Sequence, residues 1–128
     1  MSFALDASTL LAVFNEEPGF EAAEALLPGS LVTAVNLCEV FTKAVERRVP
    51  VAEVEEWLRY SQVTVVPFGR DLAIRTAELR PSTRSLGLSL GDRACLAMAL
   101  QRQLPVLTAG RAWQQLAQAL GVEIRLFR

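Results

Sequence analysis

Short apolar runs of strand length alternate along this chain with stretches whose apolar residues recur every three or four positions, the spacing of one helix face. Phe3–Ala7 (FALDA) reads as a strand, and STLLAVFNEE after it as a helix ended by Pro18-Gly19. A second helix is expected over Phe20–Leu27, closed by Pro28-Gly29, then a second strand over Ser30–Ala34 (SLVTA) and a helix from about Val35 to Arg48. Pro50 opens a further helix through about Ser61, because proline's fixed φ and missing donor are tolerated in a first turn. Val63–Phe68 (VTVVPF) is the third strand, and Asp71 is placed to cap the long helix that follows. SLGLSLG reads as a loop before a helix over Asp92–Gln103. Pro105–Ala109 (PVLTA) is then the fourth strand, Arg111–Leu120 a helix closed by Gly121, and VEIRLF the last strand.

This order predicts an α/β fold with helices over a central, mainly parallel sheet of about five strands. With 128 residues and no internal repeat or low-complexity segment, residues 1–128 are expected to form one domain. Sheets of this kind present their chemistry at the carboxyl ends of the strands. The polar residues there are the ones to weigh.

Composition narrows the chemistry. The chain has no histidine, which excludes imidazole-based triads, His-ligated zinc and histidine acid–base catalysis. Its net charge is −1 with a pI near 5.5, so no global basic field marks it as a nucleic-acid binder, although a local patch would suffice. Hydrophobic residues make up 52% but fall in short runs, so no membrane span is expected. MSFALDAST lacks the basic segment of a secretory leader, and a cytoplasmic location is expected. Cys38 and Cys95 lie within apolar helical patterns without a C-x-x-C pair and read as buried, reduced thiols.

Asp6, Glu39 and Asp92 sit beside strand ends, each with an ordinary alternative role. Asp6 can cap the first helix, although Ser8 is also placed to cap and would free it. Glu39 shares a helix face with Val35, Thr42, Lys43 and Glu46, and a solvated Glu39–Lys43 pair worth ~0.3 kcal/mol would account for it. Leu37, Val40, Phe41 and Ala44 serve the packing faces of that helix. Ser89 and Asp92 have the spacing of a capping box. Three such acids in an α/β order nevertheless point together to a hard cation, Mg²⁺ or Mn²⁺, and to phosphoryl transfer or phosphodiester hydrolysis.

The segments LDAST, VNLCEVFTKA, LSLGDRACLAMAL, PVLTAGRAW and VEIRLF, in this order, resemble the PIN-domain ribonucleases and, within them, the VapC-type toxins of toxin–antitoxin pairs. The resemblance covers essentially the whole chain. It implies an α/β/α fold and an Mg²⁺- or Mn²⁺-dependent endoribonuclease whose acids are Asp6, Glu39 and Asp92 here. The family's T-A-D-x-x-W/F motif, which carries a fourth acid, reads Thr108-Ala-Gly110-Arg-Ala-Trp113 in this chain. Gly110 therefore stands where a carboxylate is expected, which weakens attraction for a divalent cation. The resemblance also implies a homodimer and a small antitoxin whose tail covers the acidic pocket.

The expected reaction is in-line hydrolysis of RNA by water that the cation activates, with no side-chain base required. Ser8 and Thr108 are auxiliary candidates for holding water or a phosphate oxygen, with capping or loop satisfaction as their ordinary use. Arg93 and Arg111 flank the acids and Arg80 and Arg84 lie near the loop before Asp92; each can meet a phosphate or be a plain surface charge. Phe14, Trp57 and Tyr60 are candidates for a dimer or antitoxin surface, or for the core. An Asp-nucleophile phosphatase is disfavoured because Ser8 occupies the place of its second Asp, and a P-loop enzyme because its glycine-lysine motif is absent. The competing class is a PIN-like module, inactive without the fourth acid, that binds RNA or a protein.

Overall fold

The computed structural model describes all 128 residues. Five short strands, β1 (Ala4–Leu5), β2 (Leu31–Thr33), β3 (Thr64–Val66), β4 (Val106–Thr108) and β5 (Ile124–Leu126), form one sheet in the order β3-β2-β1-β4-β5, all parallel. β1 pairs with β4 through Ala4–Val106 and Leu5–Leu107, so one residue further the same register sets Asp6 beside Thr108. Between β1 and β4 the chain's direction of travel across the sheet reverses, the kind of crevice in which open α/β sheets bind ligands.

Strand pleating divides the core into two layers. Phe3, Leu5, Val32 and Leu107 pack against α1 (Ala7–Phe14), α2 (Phe20–Glu24), α3 (Ala34–Glu46) and α4 (Val51–Tyr60). Ala4 and Val106 face the other side, covered by α5 (Arg70–Glu78), α7 (Leu90–Arg102) and α8 (Gln114–Leu120). α6 (Arg80–Thr83) is a single turn between α5 and α7. α7 buries Gly91, Ala94, Cys95, Leu96, Ala97, Met98 and Ala99, and its run of small side chains lets it lie close on the sheet beneath the acidic site. No helix is long and apolar enough to cross a membrane.

The alternation of elements follows the sequence reading, but the strands are shorter than expected, Ala7 and Ala34 beginning α1 and α3 instead of ending strands, and the helix ends shift. Gly69, not Asp71, is the N-cap of α5; Asp71 lies in the first turn, where it accepts hydrogen bonds from Arg75 and Gln101. α7 starts at Leu90, before Asp92, because Ser89 is the true cap. The expected helix over Arg111–Leu120 opens as a 3-10 turn, Arg111–Trp113, and becomes α-helical only at Gln114; Gly121 ends it in the left-handed region at φ 71°. Cys95 is buried as expected, whereas Cys38 is exposed because its side of α3 faces away from the sheet. Phe14 and Trp57 pack edge to face at 5.3 Å against the first layer, and Tyr60 is exposed.

Candidate functional site

Asp6 ends β1 and is itself the N-cap of α1. Its Oδ1 accepts from the Thr9 amide at 2.9 Å, from the Thr9 hydroxyl at 2.7 Å and from the Ser8 hydroxyl at 2.9 Å. Ser8 thus serves Asp6 instead of replacing it as the cap. Oδ2 accepts from Thr108 at 2.5 Å across the β1–β4 crevice. The Thr108 hydroxyl in turn accepts from the Gly110 amide at 3.0 Å, which fixes the direction of its proton. Asp6 is buried, yet all its recorded donors are neutral, so its position is fixed while its charge is not cancelled by a salt bridge.

Glu39 is one turn into α3, and a buried amide holds it. Asn36 donates from Nδ2 to Glu39 Oε1 at 3.2 Å and to the Gly91 carbonyl at 2.9 Å, while its Oδ1 accepts from Thr33 at 2.6 Å. One side chain therefore ties the end of β2, the acid of α3 and the peptide just before Asp92. Gly91 has a matching steric role. A Cβ there would lie 2.6 Å from the Glu39 carboxyl carbon and 2.7 Å from Oε2, so the carboxylate occupies the room that the glycine leaves. Sequence reading missed Asn36 and the need for glycine at 91. The local signal was Thr33-x-x-Asn36, in which Thr33 caps α3 through the Asn36 amide.

Asp92 completes a capping box: its amide donates to Ser89 Oγ at 3.2 Å and its Oδ2 accepts from the Ser89 amide at 3.0 Å. The ordinary role and the site role thus coexist. Asp6, Glu39 and Asp92, with Ser8, Leu11 and Lys43, line one solvent-open pocket of about 230 Å³. Burial raises the Glu39 pKa above the usual carboxylate value; the Asn36 hydrogen bond pulls it down, and the negative charges of Asp92 and Asp6 push it up. Beneath the pocket, burial holds the Cys95 thiol far from ionising, and Asp6, Asp92 and Glu39 add to the effect. The three acids share one negative field.

The other candidates are distributed differently. Lys43 pairs with Glu46 at 3.3 Å, so the expected Glu39–Lys43 pair is absent. Arg93 turns to α5, where its Nη1 donates to the Thr76 carbonyl at 3.0 Å, and it does not line the acidic pocket. Arg80, Arg84 and Arg111 are exposed and line no part of the acidic pocket. At Gly110 the backbone is extended (φ −78°, ψ 95°), and the edge of Trp113 stands 3.0 Å from where a Cβ would be.

The donor set, three carboxylates with hydroxyls and no nitrogen or sulfur ligand, suits a hard cation. No three His, Cys, Asp or Glu side chains gather closely enough for direct ligation. A closed protein cage is therefore excluded, whereas a Mg²⁺ ion that keeps several waters and takes one or two carboxylates would suit such a donor set.

A family model described as PIN domain matches residues 3–119. No curated protein sequence matches the chain with significance. Among solved structures, the chain is similar to a chain of a toxin–antitoxin complex from Klebsiella pneumoniae (24% identity, TM-score 0.70, 92% of each chain covered). It is also similar to a chain of DNA-bound VapBC from Salmonella typhimurium (20% identity, TM-score 0.75, covering 100% of this chain and 99% of that one). A third similarity is to VapBC2 from Rickettsia felis bound to a promoter DNA fragment (14% identity, TM-score 0.71, 98% of each).

Proposed function

Since the chain belongs to the PIN-domain family, we propose that it is a divalent-metal-dependent endoribonuclease, with Mg²⁺ or Mn²⁺ as cation and Asp6, Glu39 and Asp92 as its acids. The observation that carries this reading is the convergence of those acids, from three separate elements, on one open pocket at the carboxyl edge of the sheet. When bound, a divalent cation supplies charge neutralisation at the phosphate and a more acidic water. Asp6 Oδ1 is occupied by its donors from Ser8 and Thr9, so Oδ2, with a single donor, keeps capacity for the cation or its hydration shell. Glu39 and Asp92 supply the remaining negative charge, and Thr108 orients Asp6.

The similarity to chains of toxin–antitoxin complexes supports the further reading that this is the toxin of a VapBC-like pair, cytoplasmic, homodimeric and held by a small antitoxin. Gly110 favours a second reading, a regulatory module that binds RNA or protein without cutting. Cleavage of defined structured RNAs with Mg²⁺ or Mn²⁺ separates the two. The nuclease reading expects cutting by this chain that falls to background in Asp92→Asn, a substitution whose amide oxygen still accepts from Ser89 and so spares the helix start. Absence of cutting by both this chain and Gly110→Asp, with Mn²⁺ still bound, moves the module reading ahead.

A further inference from the structure

Lys43 is the one cation lining the acidic pocket, and no chemistry described above uses it. It also lines a neighbouring depression among α1, α3 and α4, together with Leu11, Phe14, Val40 and Arg47, so the two surfaces are continuous through Leu11 and Lys43. Glu39, Lys43 and Arg47 are spaced by four along α3, and therefore form one stripe with steps of about 6 Å. Charge along the stripe changes from acid at the pocket to two cations leading away from it.

We propose that Lys43 and Arg47 are a phosphate track for single-stranded RNA, carrying the strand away from the acidic pocket along α3. This rests on the ribonuclease reading and adds the path of its substrate. Lys43 is more than half exposed and its partner Glu46 equally so. A pair of that kind is worth about 0.3–0.5 kcal/mol, too little to hold the ammonium against a phosphate. Arg47 is the C-cap residue of α3 and has no ion-pair partner. The depression between them has room for about one water, a volume of about 10 Å³. Phosphates need only the cations on its rim.

The test is binding of a fluorescein-labelled single-stranded oligoribonucleotide to the Asp92→Asn chain, followed by anisotropy across a salt series. Lys43→Gln and Arg47→Gln are each added to that background. Arg102→Gln, an exposed cation at the far end of α7, is the control. Each track variant is expected to lower affinity about 3- to 10-fold and to flatten the slope of log K against log salt by about 0.7, with no change for Arg102→Gln. Circular dichroism checks that all variants fold. RNA binding by the parent that is undiminished in Lys43→Gln and Arg47→Gln overturns the track and leaves the nuclease reading intact. Failure of the parent either to bind RNA or, as the unsubstituted chain, to cut it overturns both. Equal displacement of the oligonucleotide by poly-glutamate of matched charge also overturns the proposal, since the surface would then be one for acidic polypeptide.

Discussion

Along the carboxyl edge of the sheet, the β1–β2 side and the β4 side are furnished in opposite ways. On the first side, Asp6 and Glu39 are carboxylates held by neutral donors: hydroxyls and an amide for Asp6, the Asn36 amide for Glu39. On the second, β4 ends in Thr108, whose hydroxyl serves Asp6, and the next polar position is Gly110, faced by an indole edge. The difference shows how position and charge are separable. Neutral donors fix a carboxylate without cancelling its charge, so the first side delivers anions in place; the second side delivers placement alone. On the proposed reading, a divalent cation here would meet three anions where the resemblance implies four.

The most disruptive way to test that asymmetry is to remove its best-held anion. Asp6→Ala strips the α1 cap, worth about 1 kcal/mol, and leaves buried donors of Thr9 and Thr108 to find new partners at about 1–3 kcal/mol. We expect a stability loss of about 3 kcal/mol, a fall in Tm on the order of 10 °C, and loss of the Mn²⁺ response. A thermal melt with and without Mn²⁺ reads both. An unchanged Tm would show that the first side is not held by these bonds.

Gly91→Ala separates position from charge without deleting any acid. The new methyl would displace the Glu39 carboxylate, the mobile end of a half-exposed chain, while alanine is the better helix former. Stability should stay within about 1 kcal/mol of the parent, and Mn²⁺ affinity, measured by titration calorimetry, should fall about tenfold or more. Retained affinity would mean that Glu39 needs no fixed place.

Glu39→Gln keeps the Asn36 contact and removes only the charge. Because burial raises the Glu39 pKa in the folded chain, the folded state holds this proton more tightly than the unfolded one. Its contribution to stability is therefore fully present below the ordinary glutamate pKa and is lost as pH rises through the raised value. Glu39→Gln should melt slightly higher than the parent at pH 7, and the gain should vanish as pH falls towards the usual carboxylate range. In the presence of Mn²⁺ the order should reverse. A gain that persists at low pH would assign it to packing.

How much of this was legible in the sequence differs between the two sides in the same way. The alternation of strand and helix, and the acids at strand ends, are local signals. So is Gly110, because it is a departure within a contiguous motif. Asn36 was not legible, because its role depends on reaching Gly91, 55 residues away, once α3 lies on α7. Thr108 was ambiguous for the same reason: its partner Asp6 is 102 residues distant and is brought to it by β1–β4 register. Arg93, open in the sequence between a phosphate contact and a plain surface charge, turns to α5, because one step along a helix from Asp92 rotates a side chain by about 100°.

Restoring the missing anion is the sharpest test of the comparison. The backbone at Gly110 is extended and not left-handed, so aspartate meets no backbone strain there. Opposition comes from one neighbour: a Cβ would stand 3.0 Å from Trp113 Cδ1, 3.1 Å from its Nε1 and 3.4 Å from Thr108 Oγ1. The indole must give by a few tenths of an ångström, at a cost of about 1 kcal/mol. Without metal, Gly110→Asp should therefore melt a few degrees below the parent, through that crowding and the added like charge. With Mn²⁺ it should overtake the parent, because a fourth anion raises affinity and tighter binding stabilises the folded state by mass action. RNA cleavage should rise with it. If the variant folds and its Mn²⁺ response equals the parent's, the β4 side lies outside the cation's reach, and the three acids of β1, α3 and α7 are the whole of the charge that the site requires.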